Sequence, residues 1–335
     1  MKIYITGSAG FIGFHLSKRL LENGHVVRGI DSLTDYYDVN LKKDRQAILQ
    51  KFENFTVCNG DICDIETLND ELNEFKPNII VHLAAQAGVR YSLENPQSYI
   101  ETNINGTFNI LEAVKSNSVD HLLMASTSSV YGANRDIPLT ETQRTATPLS
   151  LYAASKSANE AMAHSYSHLY NIPVTMFRFF TVYGPWGRPD LALFKFVKAM
   201  LEGNPIDVYN NGDMYRDFTY IDDLVSSIID LISNTPSSDI HEVTGGSTSP
   251  VAPFRVVNIG NSDQIKLTEF IQEIEKYLGV EAKKNFLPMQ AGDVPSTLAD
   301  VNSLKLITGN HSHTHISVGI KKFVEWYIGY YKGEK

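Results

Sequence analysis

The chain has little cysteine: among 335 residues only Cys58 and Cys63 carry thiols. Two thiols make neither a disulfide framework nor a metal-ligand set. Cys58 sits in a strand-like run and reads as a core residue. A basic excess is also missing. Lys and Arg number 29 against 38 Asp and Glu, for a net charge of -9. Binding many phosphates along a nucleic acid needs a basic face, so no nucleic-acid partner is expected. A small phosphorylated substrate remains open, because a few local arginines can hold it. No apolar run is long enough to cross a bilayer, so no membrane partner is expected. The chain opens on the apolar run Lys2–Thr6 without a charged leader or cleavage site. A soluble, cytoplasmic protein is therefore expected. Internal repeats are lacking too. What the chain does have is hydrophobic content, 43% of its residues, ample for a large core.

The first thirty residues form an ordered series. Ile3-Tyr4-Ile5-Thr6 is a strand pattern, followed by Gly7-Ser8-Ala9-Gly10-Phe11-Ile12-Gly13. A helical pattern from Phe14 to Leu21 ends near Asn23-Gly24, and His25–Asp31 is a second strand. Strand, glycine turn, helix, strand and acid together make a dinucleotide-binding unit. Glycines permit a tight turn and close approach of backbone to pyrophosphate, and the helix N-terminus offers free N–H groups. Asp31 can accept bonds from the adenosine ribose hydroxyls and would repel a 2′-phosphate, which points to NAD over NADP. The glycine spacing is G-x-x-G-x-x-G, unlike the G-x-G-x-x-G of many dehydrogenases.

Further strand patterns follow at Phe55–Cys58, Ile79–Ala85, His121–Ala125 and Val174–Phe179. Helical patterns lie between them: a charged one within 33–53, Asp64–Phe75 with Asp64 as N-cap, and one long helix over about Pro96–Lys115. The alternation predicts an α/β, Rossmann-like doubly wound parallel sheet. Ser233–Pro253 is a polar connector, Arg255–Gly260 a strand, Leu267–Leu278 a helix and Ile316–Tyr331 a closing helix. Residues 1–180 are expected to form the NAD-binding domain. Residues 181–335 are expected to form a smaller C-terminal substrate-binding domain that could return elements to the sheet.

Leu151-Tyr152-Ala153-Ala154-Ser155-Lys156 carries the chemistry. Tyr152 and Lys156 are one helical turn apart on one face. A free tyrosine, with a pKa of roughly 10, is a poor base at neutral pH. A nearby ammonium stabilises the phenolate. Such a pair can remove a proton from a sugar hydroxyl while hydride leaves the adjacent carbon.

With these residues placed, the chain resembles the extended short-chain dehydrogenases/reductases. More narrowly it is similar to the nucleotide-sugar epimerases, above all those that act on UDP-glucuronate at C4. The segments that carry the resemblance include Thr6–Gly13, Ala84–Asn95, Ala125–Gly132, Arg178–Arg188, Arg216–Asp223 and Gly292–Asp293. It implies NAD contacts at Gly7, Gly10, Phe11, Ile12, Gly13, Asp31, Asp61, Ile62, Ala84, Ala85, Gln86, Tyr152 and Lys156. It implies Thr127 as the hydroxyl member of a catalytic set with Tyr152 and Lys156. The implied reaction is isomerisation of UDP-glucuronate to UDP-galacturonate through a 4-keto sugar, by a homodimer paired through the helices near Pro96–Lys115 and Ser150–Tyr170.

Several positions narrow the reaction. Related dehydratases follow the catalytic hydroxyl residue with an Asp-Glu pair that eliminates water; here Ser128 and Ser129 follow Thr127. Thr181 stands where many neutral-sugar epimerases and decarboxylases carry Asn. Ser128, Ser129 and Thr181 make a donor cluster suited to a carboxylate. Arg188 and Arg216 are candidates for the diphosphate, since a guanidinium bonds phosphate oxygens in pairs. Asp293 resembles the residue that bonds the uridine ribose. Gln290 stands where neutral-sugar epimerases often have Arg. Arg90 follows the cofactor loop and is a further substrate candidate. Alternatives are a 4-epimerase of UDP-glucose or UDP-N-acetylglucosamine, a UDP-glucuronate decarboxylase, and, from another class, an NAD-sensing binding protein. The intact Thr127, Tyr152 and Lys156 argue against the last. The alternating His311, His313 and His315 lack an acid or thiol to complete a set, and no metal site is expected there.

Overall fold

The computed structural model describes residues 1–237, 247–309 and 312–333. In the first half, strands β1 (Lys2–Thr6), β2 (Val26–Ile30), β3 (Phe55–Cys58), β4 (Ile79–His82), β5 (His121–Thr127) and β6 (Val174–Phe179) alternate with helices. These are α1 (Phe11–Glu22), α2 (Val39–Leu49), α3 (Ile65–Phe75), α4 (Tyr91–Glu94), α5 (Pro96–Tyr99), α6 (Thr107–Ser116) and α7 (Leu151–Tyr170). The second half adds β7 (Thr181–Tyr183), β8 (Ile206–Val208), β9 (Tyr215–Tyr220), β10 (Phe254–Ile259), β11 (Gln264–Lys266) and β12 (Lys284–Phe286). Its helices are α8 (Ala192–Leu201), α9 (Ile221–Ile232), α10 (Leu267–Leu278), α11 (Asn302–Thr308) and α12 (Ile316–Tyr331).

Seven strands form one sheet in the order β10-β6-β5-β4-β1-β2-β3, and every pairing in it is parallel. This is the doubly wound sheet that the alternation predicts. Strand β4 is buried along its whole length, because helices cover both faces of a parallel sheet. The strand order reverses between β1 and β4, and in such sheets the crevice beyond that point takes the ligand. Asp64 caps α3 by accepting from the Glu66 and Thr67 N–H groups, as its position before the apolar run implies. Ser150 caps α7 through the Ala153 N–H. Strand β10, from the second half, pairs with β6 and completes the sheet.

The expected helix over Pro96–Lys115 is present and runs on without a gap to Ser116, but it is not one regular α-helix. A π-helical stretch, Ile100–Gly106, separates α5 from α6. Such wide turns cluster at functional sites. Asn103 gives the physical reason: its side chain accepts from Gln86 N–H at 2.8 Å and donates to Gln86 O and Ser155 Oγ, both at 3.0 Å. The widened turn brings Asn103 inward to hold the loop after β4 against α7.

A smaller sheet, β11-β9-β7, stands beyond the main one. Buried Asp217 on β9 ties its surroundings together by accepting from the Asn261, Ser262 and Ala299 N–H groups. Helix α12 packs Trp326, tilted, and Tyr330, edge-on, against Trp186, which also packs on Phe14 of α1. The loop that carries Arg188 is thereby pinned over the glycine helix.

Candidate active site

A cavity of about 490 Å³ opens at the C-terminal ends of the main strands. All thirteen residues expected to touch NAD line it, from Gly7 to Lys156. The loop between β1 and α1 fits a pyrophosphate on steric grounds. Gly7 has φ +73°, and a Cβ there would lie 2.9 Å from the Ala84 N. A Cβ on Gly13 would lie 2.1 Å from the Gly7 carbonyl oxygen. The first helical bond of α1 runs from Phe14 N–H to Gly10 O. The N–H groups of Phe11, Ile12 and Gly13 therefore have no carbonyl within the helix, and no side chain caps them. They form a ready anion site. Asp31 lies at the end of β2, where its carboxylate accepts from Ala9 and Leu33 N–H at 3.0 and 2.9 Å. Lys42 reaches the same wall, donating to Thr34 O and Oγ1.

Tyr152, Lys156 and Thr127 all line this cavity. Burial raises the Tyr152 phenol above its ordinary value; the Thr127 hydroxyl and the Arg188 charge oppose that. Burial pushes the Lys156 ammonium down to about 8, against the pull of the Glu160 carboxylate. Lys156 Nζ donates to Ala125 O at 2.9 Å. Thr127 Oγ1 accepts from Ser129 N–H at 3.2 Å, so its own loop also engages it. The Tyr152 ring meets Tyr99 edge-on at 6.0 Å.

Ser128, Ser129, Thr181 and Asp293 line both this cavity and a smaller one of about 120 Å³ beside it. The two arginines expected at the diphosphate are separated. Arg188 lines the larger cavity, with Nε and Nη2 bonded to Asp190 at 2.9 and 2.6 Å. Tyr36 donates to the same Asp190. Arg216 lines the smaller cavity, with Nη2 on Asp293 Oδ1 at 3.0 Å. Arg90 lines neither; it stands at the rim, 3.7 Å from Asp293 Oδ2 and over the Tyr209 ring.

Sequence reasoning missed Tyr36, Lys42, Asp190, Tyr99 and Asn103. Lys42 carried one usable sign: with Arg45 it puts two cations three residues apart on α2, and both are turned inward. His311 lies outside the described residues. His313 faces Asp263 at 3.6 Å, and His315 caps α12. Among the described residues no group of three His, Cys, Asp or Glu side chains could hold a metal. No helix among them is long and apolar enough to cross a membrane.

The comparisons agree with this geometry. A family model described as the NAD dependent epimerase/dehydratase family matches residues 3–244. The probable UDP-glucuronate 4-epimerase of Rhizobium meliloti is 50% identical, over 99% of this chain and 98% of its own. UDP-glucuronate 4-epimerase 2 of Arabidopsis thaliana is 44% identical, over 99% of this chain and 77% of its own. The crystal structure of UDP-glucuronic acid 4-epimerase from Bacillus cereus, in complex with UDP-glucuronic acid and NAD, superposes with a TM-score of 0.88. That match covers 99% of this chain and 100% of the other, at 33% identity. Glycine cradle, Tyr–Lys helix and whole-length similarity together place the chain in the NAD dependent epimerase/dehydratase family.

Proposed function

We propose that the protein interconverts UDP-glucuronate and UDP-galacturonate by NAD-dependent epimerisation at C4. The observation that carries the reading is the convergence of Tyr152, Lys156 and Thr127 on one cavity wall with the hydroxyls of Ser128, Ser129 and Thr181. When bound, NAD supplies a reversible hydride acceptor. Tyr152 takes the proton from the sugar O4, and Thr127 bonds the same oxygen. Lys156 holds a positive charge one turn away and contacts the cofactor ribose. Tyr152 returns the proton once the 4-keto sugar has turned its other face, so no net redox follows. Ser128, Ser129 and Thr181 donate to the uronate carboxylate, with no carboxylate of their own to repel it or eliminate water. Arg188 and Arg216 serve the diphosphate, Asp293 the uridine ribose, and Arg90 the rim.

Residues 1–180 act as the cofactor domain and 181–335 mainly as the substrate domain. The protein works as a cytoplasmic homodimer. Exposed apolar side chains on the paired helices support the dimer: Ile100, Phe108, Leu169 and Tyr170 are 39%, 46%, 67% and 46% exposed. Leu111, in contrast, is buried in the core and belongs to the inner face. Light scattering at low concentration is expected to give twice the chain mass; a monomer alone would sink the dimer.

Incubation with UDP-glucuronate, followed by mass and NMR analysis, tests the reaction. Unchanged mass with a galacto configuration is the expected result. Release of carbon dioxide would mean decarboxylation. Turnover confined to neutral UDP-hexoses would replace the substrate, and no turnover with any UDP-sugar would leave an NAD-sensing role.

A further inference from the structure

Tyr152, Lys156 and Glu160 follow at four-residue spacing along α7 and form one stripe. Tyr152 and Lys156 face the cavity, while Glu160 lies behind them, 8% exposed. Both of its carboxylate oxygens are engaged. Oε1 accepts from Ser126 Oγ at 2.5 Å and from Arg178 Nε at 2.9 Å. Oε2 accepts from Arg178 Nη2 at 2.7 Å. Ser126 and Arg178 stand directly opposite each other in the β5–β6 pair. One carboxylate from the helix thus grips two neighbouring strands at a single level. On β5 the preceding residue, Ala125, takes the Lys156 ammonium on its carbonyl, and the following residue is Thr127.

A buried ion pair is a costly way to fasten a helix, since apolar residues of similar volume often hold as well or better. Apolar contacts, though, would carry neither charge nor directional bonds. We propose that Glu160 is a positioning residue for the epimerisation: tied to Ser126 and Arg178, it fixes the height and rotation of α7 over β5 and sets its carboxylate one turn from Lys156. The proposal rests on the roles given above to Tyr152, Lys156 and Thr127.

The charges around this point decide the sign of the effect. Tyr152 and Glu160 flank Lys156 on α7. From β4 comes His82, buried and pushed down to about 3 by burial, with the Lys156 charge adding. From β6 comes Arg178, whose guanidinium lies 4.8 Å from the Tyr131 ring and donates to Glu141 O. Tyr99 on α5 and the Arg188–Asp190 pair face Tyr152 from the cavity side. Burial holds the Lys156 ammonium at about 8, and Glu160 is the acid that opposes its loss. The working ammonium is lost as pH rises through that value. Removing Glu160 takes away the carboxylate that holds the ammonium, so the loss begins at lower pH.

The test uses the NAD-loaded enzyme: wild type, Glu160→Gln, Glu160→Asp and the double variant Glu160→Gln/Arg178→Gln. In Glu160→Gln the alkaline limb of the kcat profile is expected to move down by about one pH unit. Its kcat near neutrality should fall about tenfold, with KM within about twofold because the substrate contacts remain. Glu160→Asp keeps the charge and should return the limb to its wild-type place, with kcat still reduced. If Glu160→Gln fails to fold, the double variant removes the stranded cation and should fold with the limb still displaced. A limb at its wild-type position in either folded Gln variant would overturn the proposal. A Tyr152→Phe enzyme that still epimerises would instead remove the reading of Tyr152, and the proposal with it.

Discussion

The glycine-loop end of the main cavity and the region where it meets the smaller cavity and its rim are built in different ways. At the cofactor end, backbone does the work: the glycine turn presses on Ala84, and α1 turns uncapped N–H groups outward. At the substrate end, side chains do it, and its arginines already hold acids. Arg188 grips Asp190, and Arg216 and Arg90 share Asp293. A backbone site is ready before its ligand arrives and tolerates almost no added atoms. A side-chain site of paired charges must exchange partners when a diphosphate enters. On the proposed function, the first suits a cofactor and the second a substrate that must leave each cycle.

The sharpest break in that comparison lies where the ends meet. Tyr152→Phe removes one hydroxyl and leaves both ends intact. We expect kcat to fall by roughly 10²–10⁴-fold, the ordinary share of a positioned acid–base group. Calorimetric NAD affinity should be nearly unchanged. Substantial turnover would assign the base to another group. Next in size is Gly13→Ala. The added methyl would lie 2.1 Å from Gly7 O, a backbone atom that cannot swing away. We expect a loss of about 1–3 kcal/mol or more in stability, with a lower melting temperature and a weak response to added NAD. A variant that melts as the wild type does, and is stabilised equally by NAD, would show the cradle to be yielding.

The same contrast explains what could be read in the sequence. The cofactor end is continuous in the chain: glycine spacing, helix and Asp31 lie within thirty-one residues. Local steric rules force those residue types, so the pattern states the site. Ser128, Thr181 and Asp293, which line both cavities, come together only because β7, β9 and the loop before Asp293 meet over the sheet. The pairing of Arg188 with Asp190 has no periodic trace. Neither does the π-helical stretch at 100–106, whose apolar residues Ile100 and Ile104 keep an ordinary helical spacing with Phe108 of α6. Asn103 bends that stretch through Gln86 and Ser155, contacts that only the folded chain supplies.

At the substrate end, deletions should be graded. A ketone at C4 makes the uronate a β-keto acid, prone to lose carbon dioxide when its C5–carboxyl bond aligns with the ketone π-system. On the proposed roles, Thr181→Ala or Ser128→Ala would remove one donor that restrains this carboxylate. A charge-assisted hydrogen bond contributes about 1.5–3 kcal/mol, enough to move the product partition by about tenfold. Released UDP-4-keto-pentose should rise relative to UDP-galacturonate, measured by NMR and carbon dioxide yield. Wild-type affinity and partition in both variants would place the carboxylate elsewhere, with Arg90 next to change.

The smallest effect is expected from Asp293→Asn, where two consequences oppose each other. The carboxylate accepts Arg216 at 3.0 Å and Arg90 at 3.7 Å. Arg90 is 48% exposed, so solvent screens that pair to about 0–1 kcal/mol. Arg216 is better covered: burial lowers its guanidinium, and Asp293 opposes that. Replacing the carboxylate frees both cations for a diphosphate and strengthens binding. On the proposed role of Asp293 it would also weaken an acceptor for the uridine ribose, a loss of about 0.5–1.5 kcal/mol. The two are of similar size, so the Kd for UDP should change by no more than about threefold. Salt separates them. Two released cations make binding depend more on ionic strength, whereas a lost neutral hydrogen bond does not. Calorimetric titration with UDP at low and high salt should therefore show a steeper salt dependence in the variant. A much weaker Kd with an unchanged salt dependence would mean that Asp293 serves the ribose alone, and that the arginines at this end do not wait on it.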